Sequence, residues 1–391
     1  MAMHVRTVET TEDFASLRDD WHSLLARSGQ ENPYLSHEWL MSSWEAYAGA
    51  QDRLKILCCY RDETDSLVGI LPICFRPESG LLASRRLCYF GHLPVGPGCI
   101  ADPRYAEAIF DAIAAHLYST RSEWDVLSLR SIDSSSVFLE RLLALFDRNG
   151  RPLVRETLVN SPLELAATWE SFLGSVSRHQ RSQVRRRRSR LDSLGTVELE
   201  YVAAAEDLPG ALEDAARMFE HSMRRKFARP FEVSDRYDRL MASMSERFLA
   251  LGWLRFLFLK VDGERVAFVY QLRHGSTMFA FKFGFDTAWA EQAVGMVALG
   301  YAIEGAIVEG CHSYVLGGYG NLQARWGATG VSSVCDLTLY GRSAIASVMA
   351  TRDATALRMM RSLKPLVPAS VRARRALEIS WRELRDETYL E

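Results

Sequence analysis

The chain has 391 residues, more than one ordinary hydrophobic core accommodates, so two domains are expected. Its hydrophobic content of 48% and charged content of 25% are those of a soluble globular protein. The formal net charge of −2 indicates no class of partner. No signal-type apolar segment opens the chain, and no apolar run approaches the roughly 18 residues of a membrane-spanning helix. The sequence therefore predicts a cytoplasmic protein, with peripheral association at the inner membrane left open.

The seven cysteines lack the spacing of a metal site. Their number is odd, and no CxxC or Cys/His ligand pattern occurs. Several, such as Cys58 and Cys59, lie within apolar runs, as expected of small buried residues in a reducing compartment. We expect no metal cofactor.

The first half is predicted to contain two helices, a hairpin and then alternating helices and strands. Residues 11–27 carry apolar side chains at helical spacing, and a second helix over 36–47 has Ser36 as its N-cap. Strands over 54–60 and 67–76 flank a polar turn, as in a hairpin. The remaining predicted elements are strands at 87–90 and 99–101, a helix at 105–118, a strand at 124–129 and a helix at 136–149.

The second half repeats this order. Helices are predicted at 169–176, 177–194, 208–225 and 235–251, with a strand at 197–202. A hairpin over 254–261 and 265–273 turns at Asp262-Gly263, and strands at 277–285, 313–316 and 331–340 are separated by a helix near 295 and a short one near 322–326. The order predicts a duplicated α+β fold (mixed α/β), with domains at 1–160 and 161–340 and a basic helical tail at 341–391.

The strand at 277–285 is the most informative segment. Phe279, Phe281, Phe283 and Phe285 alternate onto one predicted face, which we assign to the core. Lys282 and Asp286 fall on the other face, about 13 Å apart, as in a strand that lines a groove. Gly295 then begins a helix whose first amides would face an anion. Together these features predict a site for a cofactor phosphate.

An arginine-rich helix follows the domain boundary. Over 177–191, Arg178, Arg181, Arg185 and Arg188 share one stripe, which can bind phosphate or carboxylate. A solvated basic face and a nucleic-acid surface are the alternatives. No aromatic residues for base stacking are interleaved with the arginines, so nucleic acid is the less favoured partner.

Two further residues have the chemistry of acid–base catalysts. His221, near the end of a long helix, can deprotonate an amine near neutral pH. Tyr319, in a glycine-rich loop, can protonate a leaving thiolate. The alternatives are an exposed or structural histidine and a tyrosine packed in a flexible turn.

The tail interleaves basic and apolar residues at helical spacing between 341 and 384. Such a pattern is typical of a helix at an anionic membrane surface. A helix packed back onto the domain is the favoured alternative.

The second half resembles the bacterial tandem GNAT-fold proteins that include the CelD-like acyltransferases and are related to the FemABX peptidyl transferases. The residues that carry the resemblance are Arg181 to Leu191, His221 to Arg224, Gly284-Phe285-Asp286, Gly295, and the strand and loop from Leu316 to Gly327. The first half is similar to the same family's N-terminal repeat through Pro33-Tyr34, Glu38-Trp39, Gly69-Ile-Leu-Pro72 and Trp124-Asp125. The resemblance implies two GNAT-like domains in tandem, each a mostly antiparallel mixed sheet flanked by helices.

Two departures from the family pattern are present. The loop after Leu316 lacks the usual acidic residues and Tyr-Lys pair, and only Arg325 and Trp326 agree. The phosphate-binding signature is half met by Gln292 and Gly295, because Val297 takes its last position.

The resemblance implies an N-acyltransferase with acyl-CoA as co-substrate and an amine as acceptor. Cofactor-binding residues would be Lys282, Gln292, Gly295, Met296 and Arg325, and substrate-binding residues would be Arg181 and Arg185. His221 or Asp286 would deprotonate the amine, and Tyr319 would protonate the thiolate.

The phenylalanine strand and the basic tail favour a long acyl chain and a lipid-like amine, as in the related bacterial ceramide synthases that acylate a sphingoid base. One alternative is a FemABX-type aminoacyl transfer from charged tRNA. The other is a non-catalytic protein of envelope or exopolysaccharide assembly.

Overall fold

The computed structural model describes residues 2–78, 83–90, 98–150, 152–227, 234–316, 321–328 and 330–363. These residues form two compact units, each discontinuous in sequence. The first comprises the described parts of Met1–Gln30, Tyr47–Thr157 and Val334–Glu391, and the second those of Glu31–Ala46 and Leu158–Ser333. The predicted domain limits stay a prediction, but the sequence did not indicate that residues 31–46 belong with the second half.

Up to residue 160, the elements are β1 (Met3–Val8), α1 (Thr11–Ser16), α2 (Arg18–Ser28), α3 (His37–Tyr47), β2 (Arg53–Leu54), β3 (Ile56–Arg61), β4 (Leu67–Leu71), β5 (Ile73–Glu78), β6 (Ser84–Tyr89), β7 (Ile100–Ala101), α4 (Ala106–Ser119), β8 (Val126–Asp133), α5 (Val137–Gly150) and β9 (Leu153–Asn160). Short 3₁₀ helices at Pro33–Leu35 and Pro103–Tyr105 complete this part. The predicted helix over 11–27 is therefore two helices, and the sequence does not predict β1 or β9.

From residue 163, the elements are β10 (Leu163–Glu164), α6 (Trp169–Ser175), α7 (Arg178–Asp192), β11 (Val197–Val202), α8 (Leu208–Phe227), α9 (Asp235–Ala250), β12 (Leu254–Val261), β13 (Glu264–His274), β14 (Thr277–Phe285), α10 (Val294–Val308), β15 (Ser313–Val315), α11 (Asn321–Arg325), β16 (Val331–Tyr340) and α12 (Ala344–Leu363). 3₁₀ helices span Ala205–Asp207 and Thr287–Gln292. Most predicted helices and strands of this half end within a few residues of these bounds.

The first unit contains two sheets, ordered β1-β3-β4-β7 and β2-β5-β6-β8-β16-β9. Strands β6 and β8 are parallel, whereas β16 runs antiparallel to β8. Helices α4 and α5 pack on a core that includes the buried Ile109, Trp124, Leu127 and Leu142.

The second unit has one mixed sheet, ordered β10-β15-β14-β13-β12-β11. Only β14 and β15 are parallel among its described pairs. Ala267 and Val269 of β13 pack with α10, and the alternate residues Phe268 and Tyr270 face α8 and α9. The predicted fold class, mixed sheets flanked by helices, is confirmed.

Local sequence explains several element boundaries. Ser36 caps α3, because its hydroxyl accepts a hydrogen bond from the Trp39 amide at 3.2 Å. Asp262 and Gly263 both have positive φ, +50° and +86°, as a tight two-residue hairpin turn requires. Both features agree with the sequence-based prediction.

The predicted single face of four phenylalanines is wrong, because β14 contains a β-bulge. Ala280 pairs with Gln271 and Lys282 with Tyr270, so Phe281 is an extra residue without an opposite partner. Phe283 and Phe285 pack towards α10, but the ring of Phe281 lies 5.4 Å from that of Trp39. One inserted residue reverses the alternation of side chains beyond it.

Candidate active site

An apolar cavity of about 390 Å³ lies between helices α8 and α9 and the sheet face formed by β13 and β14. Its wall includes Leu212, Phe219, Met241, Phe268 and Tyr270. Its polar members include Glu213, Asp238 and Lys282. Concave, mostly apolar surfaces with a few polar groups are typical of small-molecule sites.

Lys282 reaches this cavity because of the bulge in β14. Its ammonium lies 3.8 Å from the ring centroid of Phe219 and 3.6 Å from that of Tyr237. It also donates a hydrogen bond to the Tyr237 hydroxyl. Aromatic faces attract a cation in this geometry, so the charge is held at a defined point of the wall.

Asp238, which lies one residue beyond Tyr237, is a polar group that sequence reasoning missed. It lines the cavity and is itself exposed. Partial burial, and then the nearby carboxylates of Asp235 and Glu220, raise the pKa of Asp238, and only Lys282 opposes them. A carboxylate whose pKa is raised is a stronger base and is better suited to accept a proton. No motif marks this residue, which reads as an ordinary polar position of an amphipathic helix.

The predicted catalytic residues lie elsewhere. His221 is exposed on α8. Asp286 caps the 3₁₀ helix that follows β14, with its Oδ1 accepting a hydrogen bond from the Ala288 amide at 2.9 Å. Neither residue belongs to the described cavity wall. Tyr319 lies outside the described residues.

The start of α10 lies on the other face of the sheet. Its N-cap, Ala293, has a positive φ of +54°, and Met296 donates from its amide to the Ala293 carbonyl. Gly295 is buried, and a Cβ there would lie 3.0 Å from the Phe285 ring. The glycine therefore also has a packing role. Gln292 Oε1 is buried and accepts no hydrogen bond from the described residues.

Helix α7 forms a narrow crevice with α10 and the end of α11. Its lining includes Gln180, Arg187, Arg188, Met296 and Trp326. The crevice has almost no open volume. Of the residues predicted to bind the donor, the crevice contains Met296. Of its two arginines, Arg188 belongs to the predicted stripe and Arg187 does not.

The predicted arginine stripe is divided by the fold. Arg181 donates to the carbonyl of Gly174 at 3.1 Å, which joins α7 to the preceding helix. Arg185 is exposed, as is Arg325. Arg188 instead turns inwards and pairs with Glu304 at 2.7 Å. Burial of one arginine of the stripe was not evident from the sequence.

Strands β14 and β15 pair over a short length. Thr277–Phe279 lies parallel to Ser313–Val315, and β14 then continues to Phe285. The edge of β14 beyond Phe279 therefore has no described strand beside it. An extended ligand would find free backbone groups along this edge.

Helix α12 packs on the first unit through Ala346 and Met349, which are buried against Val126 and Tyr340. It leaves Val348 50% exposed and Met359 60% exposed. No described helix is long and apolar enough to cross a bilayer. The rest of the predicted basic tail, from residue 364, lies outside the described residues.

The sequence matches a known domain family, and the fold is similar to that of solved structures. Residues 178–326 match the acetyltransferase (GNAT) domain family. The fold is similar to the crystal structure of FemX, with a TM-score of 0.56 and 12% identity over 85% of this chain and 96% of that one. A conserved protein of unknown function from Bacteroides thetaiotaomicron gives a TM-score of 0.54 and 14% identity over 86% of this chain and 100% of that one. No curated protein sequence matches the chain.

The matched region begins at α7 and ends at Trp326, so it contains the arginine helix, the cavity, the bulged strand and the start of α10. At these low identities the structural likenesses establish the fold alone. Residues 178–326 thus match the acetyltransferase (GNAT) domain family, in a chain whose fold is similar to that of FemX.

Proposed function

We propose that the protein is an N-acyltransferase that moves an acyl group from acyl-CoA to an amine acceptor. The observation that supports this most strongly is the apolar cavity with Lys282 on its wall, because it lies against the bulged strand of a GNAT domain. A thioester at the free edge of β14 would be next to this cavity. The donor and the acceptor would then meet where the bulge interrupts strand pairing.

The donor is assigned to the edge of β14 and the start of α10. Its pantetheine arm would run beyond Phe279, where β14 has no described neighbour on that side. Its pyrophosphate would face the amides of Val294 and Gly295, which as the first amides of a helix have no partner within it. Gln292 and Met296 flank this point.

The chemistry proposed is direct attack of the amine nitrogen on the thioester carbonyl. The C–N bond forms, the C–S bond breaks, and the CoA thiolate takes up a proton. Backbone amides at the Phe281 bulge would hold the oxyanion. Asp238 would remove the amine proton, because it lines the cavity and has a raised pKa. His221 and Asp286 remain candidates for the same role, and Tyr319 for protonation of the thiolate.

The cavity favours an apolar acyl chain or a lipid-like amine. Its 390 Å³ is within the range of about 300–1,000 Å³ for small-molecule pockets, and its wall is mostly apolar. Each buried methylene contributes about 0.8 kcal/mol, close to a fourfold gain in affinity. A sphingoid base is one acceptor of this kind. It would be delivered from an anionic membrane surface, which the exposed apolar side chains of α12 would contact.

The test is a series of acyl-CoA donors of increasing chain length, kept below their micelle concentrations. Thermal unfolding measures binding, since a ligand at a hundred times its Kd adds about 2.7 kcal/mol of stability. Transfer to long-chain amines, detected by mass spectrometry, measures activity. Stabilisation that grows with chain length supports the proposal. No shift with any donor would reject acyl-CoA and favour the tRNA-dependent or non-catalytic alternatives.

A further inference from the structure

We propose that Cys74 and Cys88 are a redox modification site, at which a peroxide converts two thiols into a reversible disulfide bond. The two residues lie on the neighbouring strands β5 and β6, and both are free cysteines in the structure. Both belong to the first unit, so this site does not depend on the acyl transfer proposed for the second.

The strand register places the two cysteines directly opposite each other. Cys74 is the Cα partner of Cys88 in the antiparallel pair of β5 and β6, and their sulfur atoms lie 3.8 Å apart. Residues opposed in this way have Cα atoms about 4.5–5.5 Å apart, within the range of about 4.4–6.8 Å that a disulfide spans. To form an S–S bond of about 2.05 Å, each sulfur would move by less than about 1 Å, so adjustment of the side chains is sufficient.

Two arginines lie on the same face of the sheet beside the cysteine pair. Arg76 and Arg86 are also opposed partners, and each is two residues along its strand from Cys74 or Cys88. Like charges directly opposite each other on a sheet are destabilising, so a negative charge between or beside them is favoured. The face therefore surrounds the sulfur atoms with groups that favour a thiolate.

The two sulfur atoms differ in acidity. The hydrogen bond from the Cys74 thiol is the largest cause of a lowered pKa of Cys88. The charges of Arg76 and Arg86 also lower that pKa, whereas desolvation and the charge of Asp52 oppose them. The same hydrogen bond, together with desolvation, raises the pKa of Cys74. Since the thiolate is the reactive form, Cys88 is the attacking sulfur and Cys74 the one that completes the disulfide.

Exposure to solvent agrees with this assignment. Cys88 is partly exposed, whereas Cys74 is fully buried behind it in the sheet. Cys59 shows the contrast: its sulfur lies 3.9 Å from the Met3 sulfur, and burial raises the pKa of its thiol to about 11. A buried thiol of that kind is inert. A small oxidant can thus reach the sulfur that ionises most easily.

The oxidation proceeds in two steps. The Cys88 thiolate attacks one oxygen of hydrogen peroxide, the O–O bond breaks, and Cys88 becomes a sulfenic acid as hydroxide leaves. The Cys74 sulfur then attacks the Cys88 sulfur, and the sulfenic hydroxyl leaves as water with the proton of the Cys74 thiol. Two thiols are oxidised and one peroxide is reduced to two water molecules. Thiol–disulfide exchange with a small thiol reverses the change.

The disulfide would join two strands beside the contact between the sheet and α12. Cys88 is the partner of Ser128 on β8, two residues beyond Val126. Val126 is buried against Ala346 and Met349 of α12. A bond that ties β5 to β6 at this place constrains the unfolded chain across 14 residues of sequence, so oxidation should stabilise the first unit.

Peroxide treatment of the folded full chain, followed by alkylation of the remaining thiols and peptide mass mapping, tests the site. We expect a linked peptide that joins Cys74 to Cys88, and full reversal by dithiothreitol. The melting temperature should rise by several degrees on oxidation. Treated protein that keeps both thiols free would overturn the proposal. So would a linkage that forms only after the chain has been unfolded in urea.

Serine variants separate the roles of the two sulfurs. Cys74→Ser should leave a sulfenic acid on Cys88 that dimedone captures, whereas Cys88→Ser should leave Cys74 reduced at the same peroxide concentration. Cys59→Ser, on the neighbouring sheet, is the matched control and should form the linkage as wild type does. Dimedone capture on Cys74 in Cys88→Ser at the wild-type rate would contradict the assigned order.

Arg86→Gln tests the thiolate with both cysteines in place. The alkylation rate of Cys88 by iodoacetamide at pH 7 should fall roughly two- to tenfold, because a neighbouring cation is lost. Arg6→Gln, at an exposed position of β1, should leave that rate unchanged. In wild type the rate should rise with pH with a midpoint below about 8.5, the usual value for a free cysteine. A midpoint at or above that value would contradict Cys88 as the attacking sulfur.

Discussion

Gly284 of β14 lies directly against the backbone of Phe219 in α8. A Cβ on Gly284 would be 3.2 Å from the Phe219 Cα and 2.7 Å from Cε1 of Phe268. The cavity is therefore bounded by a strand and a helix that meet at a residue without a side chain.

Replacing this glycine should destabilise the second unit. We expect Gly284→Ala to lower the free energy of unfolding by about 1–3 kcal/mol, because the helix backbone cannot yield as a flexible side chain can. Urea unfolding measures the change. Gly210→Ala, in the first turn of α8, is the control: no atom lies within 4 Å of its added Cβ, so stability should be unchanged or rise by up to about 1 kcal/mol. Equal effects at the two positions would mean that the contact with Phe219 is not restrictive.

Lys282 is predicted to act in transfer more than in folding. Lys282→Met keeps the apolar stem and removes the charge, so kcat/KM should fall about tenfold or more while stability drops by at most about 2 kcal/mol. Tyr237→Phe keeps the ring beneath the ammonium and should cost less. Lys260→Met, on β12 beside Glu200, is the control outside the cavity. Full activity in Lys282→Met would contradict a role in transfer and would show that Lys282 has a structural role only.

The sequence predicted the hairpin at Asp262-Gly263, the helices of the second unit and the mixed fold, because these follow from local periodicity and turn chemistry. It did not predict the β-bulge at Phe281. A sequence-based prediction assumes that side chains alternate between the two faces of a strand with a fixed period of two. An extra bulge residue can be recognised only when the pairing with the neighbouring strand is known. As a result Phe281 and Lys282 were assigned to opposite faces, although both contact groups on the α8 side of the sheet.

The sequence did not predict the crevice between α7, α10 and Trp326, for a different reason. Helical periodicity placed Arg178, Arg181, Arg185 and Arg188 on one stripe, but it cannot show which arginine meets another helix. Partial burial of Arg188 depends on Gly300 and Glu304, which are distant in sequence. Pairing across elements is a tertiary property, so the sequence alone could not show that Arg188 contacts α10.

The size of the cavity should set the acyl-chain preference. Ala216 lies on the cavity wall, and Ala216→Phe would fill part of the volume. We expect the preferred chain to become shorter, with loss of about fourfold in kcat/KM for each methylene that no longer fits. Turnover of acetyl-CoA is the internal control and should be retained. An unchanged chain-length profile would show that the acyl chain lies elsewhere.

Asp125, the residue just before β8, is predicted to stabilise the first unit in a pH-dependent manner. Its side chain is buried, and it accepts hydrogen bonds from the Arg85 amide at 2.7 Å, from Arg85 Nη2 at 3.0 Å and from the Ser343 hydroxyl at 2.6 Å. Burial alone would raise the pKa of Asp125, but the hydrogen bonds from Arg85 and Ser343 outweigh it and lower that pKa. The folded state therefore favours the ionised carboxylate.

This lowered pKa fixes the sign of the pH effect. The stabilisation is fully present above the unfolded-state pKa of about 3.9 and is lost as the pH falls through the lower folded-state value. Asp125→Asn should lower the free energy of unfolding by about 2–3 kcal/mol at pH 7, and the gap to wild type should narrow in acid. Urea unfolding at several pH values measures both. Glu107→Gln, which breaks an exposed pair with Arg141, should cost less than about 1 kcal/mol. A gap for Asp125→Asn that stays constant into acid would assign the loss to packing instead of charge.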